Sequence, residues 1–266
     1  MNIQYFELHG DVDSGGSPHP ECAMCSHYQA EKRRRQLEKM GVKLPPHWEP
    51  PPGGMHIYPT QTAPFIRRPP ERDSGDEAVP DLELVEGRFG LLPGFAKEVK
   101  YGLRTYNART ETVAQLASFK NAWAKPRHCI IPCEAIYEPD WRTGKAIPTR
   151  FTAANDETLG VAGLWSPWKN PATGEWELSF TMLTINGDDH PLFMHMHRPD
   201  PKRPPHMQDK RLVVILPPAQ YEPWLDATPQ ESFEFMRQYP AERLVMTPEP
   251  LPPKAAAKPP EDQLLL

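Results

Sequence analysis

Cys25 could do chemistry that no residue inside a chain can do. It follows Met24 and opens the run Ser26-His27-Tyr28. At the start of a chain, a cysteine carries an α-amine and a thiol on adjacent carbons. An α-amine titrates near about 7.7–8.0 and a lysine amine near about 10.4, so at neutral pH the nucleophilic fraction of the former is larger by roughly a few hundredfold. Such an amine adds to an aldehyde to give an imine. The thiol of the same residue then adds to the imine carbon and closes a five-membered thiazolidine. An internal cysteine offers only an amide nitrogen, which cannot form the imine.

Three other stretches bring chemistry-bearing side chains together. Asn107 and Arg109 lie in a polar run from Thr105 to Glu111, just ahead of an expected helix start at Thr110. Glu138 follows Tyr137 at the end of an apolar run and precedes Pro139. His195, Met196 and His197 sit in a histidine-rich loop that leads toward Arg211 and an apolar strand. Each has an ordinary reading. Asn107 could hold a turn, and Glu138 could pair with an arginine. His195 alone reads as a surface residue. His195 and His197, with His190 and His206 near, could hold a metal, but no matching acidic histidine motif stands elsewhere. Cys22 and Cys25 with Cys129 and Cys133 have zinc-compatible gaps, yet the second pair falls in an apolar strand pattern where cysteine is a small hydrophobe. A serine hydrolase is disfavoured because the nucleophile-elbow pattern is missing.

The elements that must position these groups are mostly strands. Residues 28–40 are rich in Gln, Glu, Lys, Arg and Leu and stop at Gly41, which predicts a helix. A second helix is expected from Thr110, with Val113, Leu116, Ala117 and Phe119 as its buried stripe. Strands are expected over 55–58, 63–67, 82–89, 129–137, 150–153, 159–165, 178–185, 211–216 and 243–246. Short helices fit 221–225 and 230–237. Strands and helices do not alternate regularly. The expected fold is therefore α+β: a single domain with a curved, mostly antiparallel sheet or pseudo-barrel flanked by short helices.

At 266 residues the chain can bury one sizeable core. Its 35 prolines are more than twice ordinary usage and mark long irregular loops. The net charge of −5 gives no whole-chain support for nucleic-acid binding. A local basic face remains open, because Lys32 to Arg35, Arg67-Arg68, Arg104 and Arg109 could supply one; for Arg33 to Arg35 a solvated helix surface is the simpler reading. Four cysteines are too few for a disulfide framework. No run suits a membrane span or a secretory signal, so the expectation is a soluble, cytoplasmic, nucleoid-associated monomer without a cofactor.

In order along the chain, several motifs resemble those of the SOS-response-associated peptidases, which process abasic DNA sites. They are Met24-Cys25, the run from Gly87 through Arg88 and Phe89 to Pro93, the run from Tyr106 through Asn107 and Arg109 to Thr112, the run from Arg127 to Pro132, Tyr137-Glu138, Met196 to Pro199, and Arg211 to Leu216. The resemblance runs from about Met24 to Met246. It implies that Cys25 attacks the open-chain aldehyde of an abasic deoxyribose in single-stranded DNA and leaves a covalent thiazolidine link. It implies that Asn107 hydrogen-bonds the sugar, that Glu138 acts as general acid and base, and that His197 stabilises or protonates the opened ring. Arg109 would grip a backbone phosphate. Arg88, Phe89 and Trp141 would contact DNA, Phe89 as an aromatic wedge and Trp141 by stacking on a base. A self-processing peptidase activity is also implied.

The chain departs from the family pattern at four places, one of them Phe89, where many members have tryptophan. Ser26-His27 stand where Gly-Arg usually follows the cysteine, and Pro139 stands where tryptophan usually follows the glutamate. Residues 1–23 precede Met24 as an extension that must be absent or removed for the amine to be free. Either Met24 is the true start, or the chain cleaves itself before Cys25. The domain is expected over 24–248, with 249–266 a proline-rich tail. A competing reading keeps the fold and DNA binding but not the chemistry.

Overall fold

The computed structural model describes residues 26–50 and 55–249. Cys22, Cys25, the expected extension and nearly all of the expected tail lie outside the described residues. Along the chain run β1 (His27–Ala30), α1 (Arg34–Lys39), β2 (His56–Ile57), β3 (Thr62–Arg67), β4 (Glu83–Phe89), β5 (Asn107–Arg109), α2 (Lys120–Ala124), β6 (His128–Asp140), β7 (Ile147–Ala153), β8 (Leu159–Lys169), β9 (Trp176–Asn186), β10 (Arg211–Val213), β11 (Ile215–Leu216), α3 (Tyr221–Asp226) and β12 (Leu244–Pro248). The fold is α+β.

Five strands close into a mixed barrel. β6 pairs antiparallel with β8, and β8 with β9. β9 lies parallel to β4, β4 antiparallel to β3, and β3 returns to β6 where Ile66 faces Ile130. The barrel interior is apolar because these strands carry Phe65, Phe89, Ile130, Val161 and Phe180, none of them exposed. Burying such side chains is the main drive for closure, at ~1.5–3 kcal/mol each. Closure also needs Gly163. A Cβ there would lie 2.4 Å from Ile131 Cδ1 and 2.5 Å from the Thr181 carbonyl oxygen. Buried Glu31 clips the outside of the barrel: it accepts from the Arg33 guanidinium at 2.8 Å and from Thr158 Oγ1 at 2.6 Å.

Two expected helices are corrected. Residues 27–30 form β1, paired with β6 and β2, and only Arg34–Lys39 is helical. Tyr28 and Ala30 are fully buried, so pairing against an open edge of β6 outweighs local helix propensity. The stretch from Thr110 forms successive turns, with a helix only at Lys120–Ala124. Val113 and Phe119 do reach the core, but Leu116 is half exposed, so there is no continuous helical stripe. The single strand expected over 211–216 divides at Val214, so that β10 joins β9 and β11 joins β8.

Candidate functional site

The site forms where β6 runs out. On β6 Pro139 faces Pro148 of β7. Neither proline has an N–H to give, so the carbonyls here are taken by other segments. The Glu249 N–H reaches the Pro148 oxygen at 2.8 Å, and the His197 N–H reaches the Pro139 oxygen at 2.8 Å. Asp140 bridges Met196, and the Trp141 N–H donates to the His195 carbonyl at 3.1 Å. The histidine loop is thereby stitched to the end of the strand that carries Glu138. This recruitment brings Glu138 and His197 together although they are far apart in sequence.

His197 Nε2 lies 2.8 Å from Glu138 Oε2. The Glu138 side chain is 1% exposed and that of His197 12%. The pair is close but not aligned as a hydrogen bond, and neither atom has another hydrogen-bond partner among the described residues. Buried polar atoms are rarely left so. Each atom thus has the other as its nearest electrostatic partner. His197 takes a left-handed backbone with φ of 60°, a costly conformation for a residue with a Cβ. Lys210, itself 5% exposed, fixes that conformation: its ammonium donates to the Met196 and His197 carbonyl oxygens at 2.8 Å each.

A chain of contacts carries on to β5. Asp209 precedes Lys210 and accepts from Arg109 Nη1 at 2.7 Å. Asn107 lies two residues before Arg109, on the same face of the strand. It is buried, and it faces Met182 of β9 in register. Arg211 is held bidentately by Glu111, with both contacts at 2.8 Å. On the other flank, β1 starts with His27 opposite Tyr137, the neighbour of Glu138. The His27 ring stacks on Tyr58 at 4.4 Å and on Tyr137 at 4.2 Å, and its Nε2 lies 2.8 Å from His56 Nδ1. Burial, with the charge of His56 adding to it, lowers the His27 pKa to about 4. The imidazole that stands where an arginine is usual is thus neutral near pH 7 and brings no charge to a phosphate.

The remaining expected DNA contacts are placed differently. Trp141 is half-buried beside the site, with the Arg198 guanidinium 5.9 Å from its ring centre. Arg88 is bound by Glu177. Phe89 is fully buried between Tyr28, Tyr106 and Phe180, so its ring is core packing in this structure. The aromatic that does face solvent on this part of the chain is Phe95, 53% exposed. Sequence reasoning missed Lys210 and Asp209. Their only signal is their place directly before Arg211 at the start of a strong strand.

Cys129 and Cys133 are fully buried on β6, and burial pushes both thiols well above their ordinary range. They behave as small apolar residues. No group of three or more His, Cys, Asp or Glu side chains among the described residues suits a metal. No helix among them is long and apolar enough to cross a membrane.

A closed barrel with a buried carboxyl and imidazole at one strand end, joined through Lys210 and Asp209 to an arginine, defines a single-domain α+β protein with a polar cluster at the barrel's edge. A family model for the SOS response associated peptidases matches residues 24–249, and the chain belongs to that family. Among similar curated proteins, "Abasic site processing protein YobE" of Bacillus subtilis is 36% identical over 101 residues, 37% of this chain and 44% of that one. "Abasic site processing protein YoqW" of the same organism is 30% identical over 142 residues, 52% of this chain and 55% of that one. "Abasic site processing protein HMCES" of Gallus gallus is 26% identical over 137 residues, 44% of this chain and 41% of that one. The chain spans about half the length of the curated relatives it matches. A crystal structure of a protein from Bordetella bronchiseptica is 44% identical, covers 85% of this chain and 100% of its own, and superposes with a TM-score of 0.70. One from Bacteroides thetaiotaomicron, 18% identical with a TM-score of 0.61, shares the fold over 84% of this chain and 90% of its own.

Proposed function

We propose that this protein captures abasic sites in single-stranded DNA by forming a thiazolidine through Cys25 at a free N-terminus. The observation that carries the reading is the buried contact between Glu138 and His197, neither of whose facing atoms has a further hydrogen-bond partner among the described residues. The first described strand enters beside that pair, because His27 faces Tyr137. Cys25 is one residue of chain upstream of Ser26, and two residues reach about 7 Å.

Ring-opening of the abasic sugar exposes its aldehyde. The α-amine attacks the aldehyde carbon, and a proton from the Glu138–His197 pair lets the oxygen leave as water, giving the imine. The thiol then adds to the imine carbon while its proton passes to the nitrogen. Glu138 is the group that gives and takes these protons. His197 stabilises the opened sugar, and Asn107 hydrogen-bonds it. Arg109 binds a neighbouring phosphate once Asp209 releases it, and Trp141 offers a face to a base. Arg88, on β4, contacts the DNA once Glu177 releases it. No cofactor is required, and a single copy suffices.

The active domain is residues 24–248, flanked by 1–23 and 249–266. A free Cys25 amine requires that residues 1–23 be absent from the active form. Where self-cleavage before Cys25 supplies that form, the peptidase step is confined to that cut.

The test is to incubate the Cys25-start form with single-stranded DNA bearing an abasic site. A species that survives denaturing electrophoresis is expected, and Cys25→Ala must abolish it. No shifted species from the Cys25-start form refutes the reading. A reversible DNA-binding module is the second reading, favoured by Ser26-His27 and Pro139, which depart from the family pattern beside the site. Intact mass of the protein from its own cells separates the two: retention of residues 1–23 with reversible DNA binding supports the module.

A further inference from the structure

A cavity of about 260 Å³ lies away from Glu138, near the start of β6. Lys125, Arg127 and Lys169 line it, together with Ser118, Asn121 and Trp176. No aspartate or glutamate is among the described residues that line it. In a chain of net charge −5 this is an unusual local balance. None of the three cations makes an ion pair among the described residues. Arg127 is held in place by Trp165, over which its guanidinium lies 5.3 Å from the ring centre, while Arg67 lies 4.1 Å from the same ring centre. Burial and the charge of Arg67 both act against the Arg127 cation. An anion in the cavity relieves that strain.

The side chains around the cations specify the anion's class. Trp176 is 70% exposed, far more than an indole with a packing role. An exposed indole beside a cationic cavity is the arrangement that stacks unpaired bases while their phosphates are neutralised. Backbone contacts fix the cavity's position relative to the proposed reaction site. Leu91 lines it, and the Leu91 N–H bonds the carbonyl of Thr105, two residues before Asn107. Asn107 faces Met182 on β9, and Trp176 lies six residues earlier on the same strand, about 20 Å at the usual strand rise. A strand anchored at Asn107 reaches the cavity with a short run of nucleotides.

We propose that this cavity is a flank-binding subsite for single-stranded DNA. Lys125, Arg127 and Lys169 hold a phosphodiester on one side of the lesion, and Trp176 stacks on an adjacent base. The proposal rests on the abasic-site reading and adds a polarity to it: one flank of the lesion matters for affinity and the other does not.

The experiment uses labelled oligodeoxynucleotides with a central tetrahydrofuran analogue, which has no aldehyde and so reports binding without cross-linking. Each flank is shortened separately, and affinity is read by fluorescence anisotropy across a salt series. The wild-type chain is expected to lose about tenfold in affinity when one flank is removed and little when the other is. Trp176→Ala and the double variant Lys125→Ala/Lys169→Ala should bind the full-length oligonucleotide as weakly as the wild type binds the shortened one. The double variant should also lower the salt slope by about 0.7, for the one single-strand phosphate contact it weakens. All three positions are exposed, so the substitutions leave the core intact. Equal dependence on both flanks, or an unchanged slope in the double variant, overturns the proposal. Failure of the wild type to cross-link a true abasic oligonucleotide sinks the parent reading as well. Normal cross-linking with no flank effect sinks this subsite alone.

Discussion

Replacing Lys210 with methionine tests the geometry that holds the site together. Methionine keeps most of the apolar stem and removes the ammonium. Two carbonyls, those of Met196 and His197, then lose a charged donor at 2.8 Å in a place that is 5% exposed. Hydrogen bonds to a charged group contribute about 1.5–3 kcal/mol each, so the gross loss is about 3–6 kcal/mol. Burying the ammonium no longer has to be offset, which returns part of this. The net cost is about 2–4 kcal/mol, or a fall in Tm of roughly 5–15 °C for a domain of this size. The function should suffer more than the fold. His197 holds a left-handed backbone of φ 60°, and such a residue relaxes once its surroundings stop over-determining it. The imidazole then leaves Glu138. The cross-linking rate on an abasic oligonucleotide, measured under single-turnover conditions well below the lowered Tm, should fall at least tenfold. A melting temperature within about 2 °C of wild type, with a rate within about twofold, would show that Lys210 does not position the site.

Other perturbations follow from the same contacts. Asp209→Asn frees the Arg109 guanidinium, which is 44% exposed, and should tighten single-stranded DNA binding several-fold at low salt; anisotropy titrations showing weaker binding would refute this. His128 is buried against Trp224 with its pKa lowered to about 4, chiefly by burial. The unfolded chain takes up that proton near about 6.5, so the contribution is present above that pH and is lost as pH falls toward 4. Urea denaturation should show the folded state weaker by about 2 kcal/mol at pH 5 than at pH 7 from this group, and His128→Gln should flatten most of that slope; an equal slope in the variant refutes the assignment. Gly90→Ala should cost roughly 3 kcal/mol or more, because φ is 122° and a Cβ would meet the Gly102 carbonyl oxygen at 2.4 Å. Soluble expression with an unchanged Tm would count against it.

The strands were legible where the sequence is dense in apolar residues, and the two misread helices show what local pattern cannot carry. Residues 28–40 have helix-forming composition throughout, yet β6 offers Ala135 to Tyr137 as an edge, and His27 to Gln29 takes it. The turn segment after Thr110 has the apolar spacing of a helix, but its N–H groups close tight turns such as Thr112 to Arg109. In both cases tertiary pairing outweighs a propensity of a few tenths of a kcal/mol per residue. Asn107 and Arg109 could be flagged by type and order, but Arg109's carboxylate partner could not, since it is 100 residues away.

The Glu138–His197 contact shows why a site can be named from sequence and still not be built from it. The residue types were readable, but the cause of their meeting is a missing donor. Pro139 and Pro148 face each other across a ladder and leave carbonyls that the sheet cannot use. Buried carbonyls seek a partner, and the His197 N–H is the one that arrives. The proline that departs from the family pattern after the glutamate is therefore also the residue whose carbonyl docks the histidine loop. Pro139→Trp would restore the usual residue and add an N–H opposite Pro148. If docking depends on the free carbonyl alone, the variant keeps the cross-linking rate, because tryptophan presents the same oxygen to His197. A rate that falls with the fold intact would instead assign the proline ring itself, through its fixed φ, to aiming that carbonyl. Measuring the rate together with Tm separates these two causes.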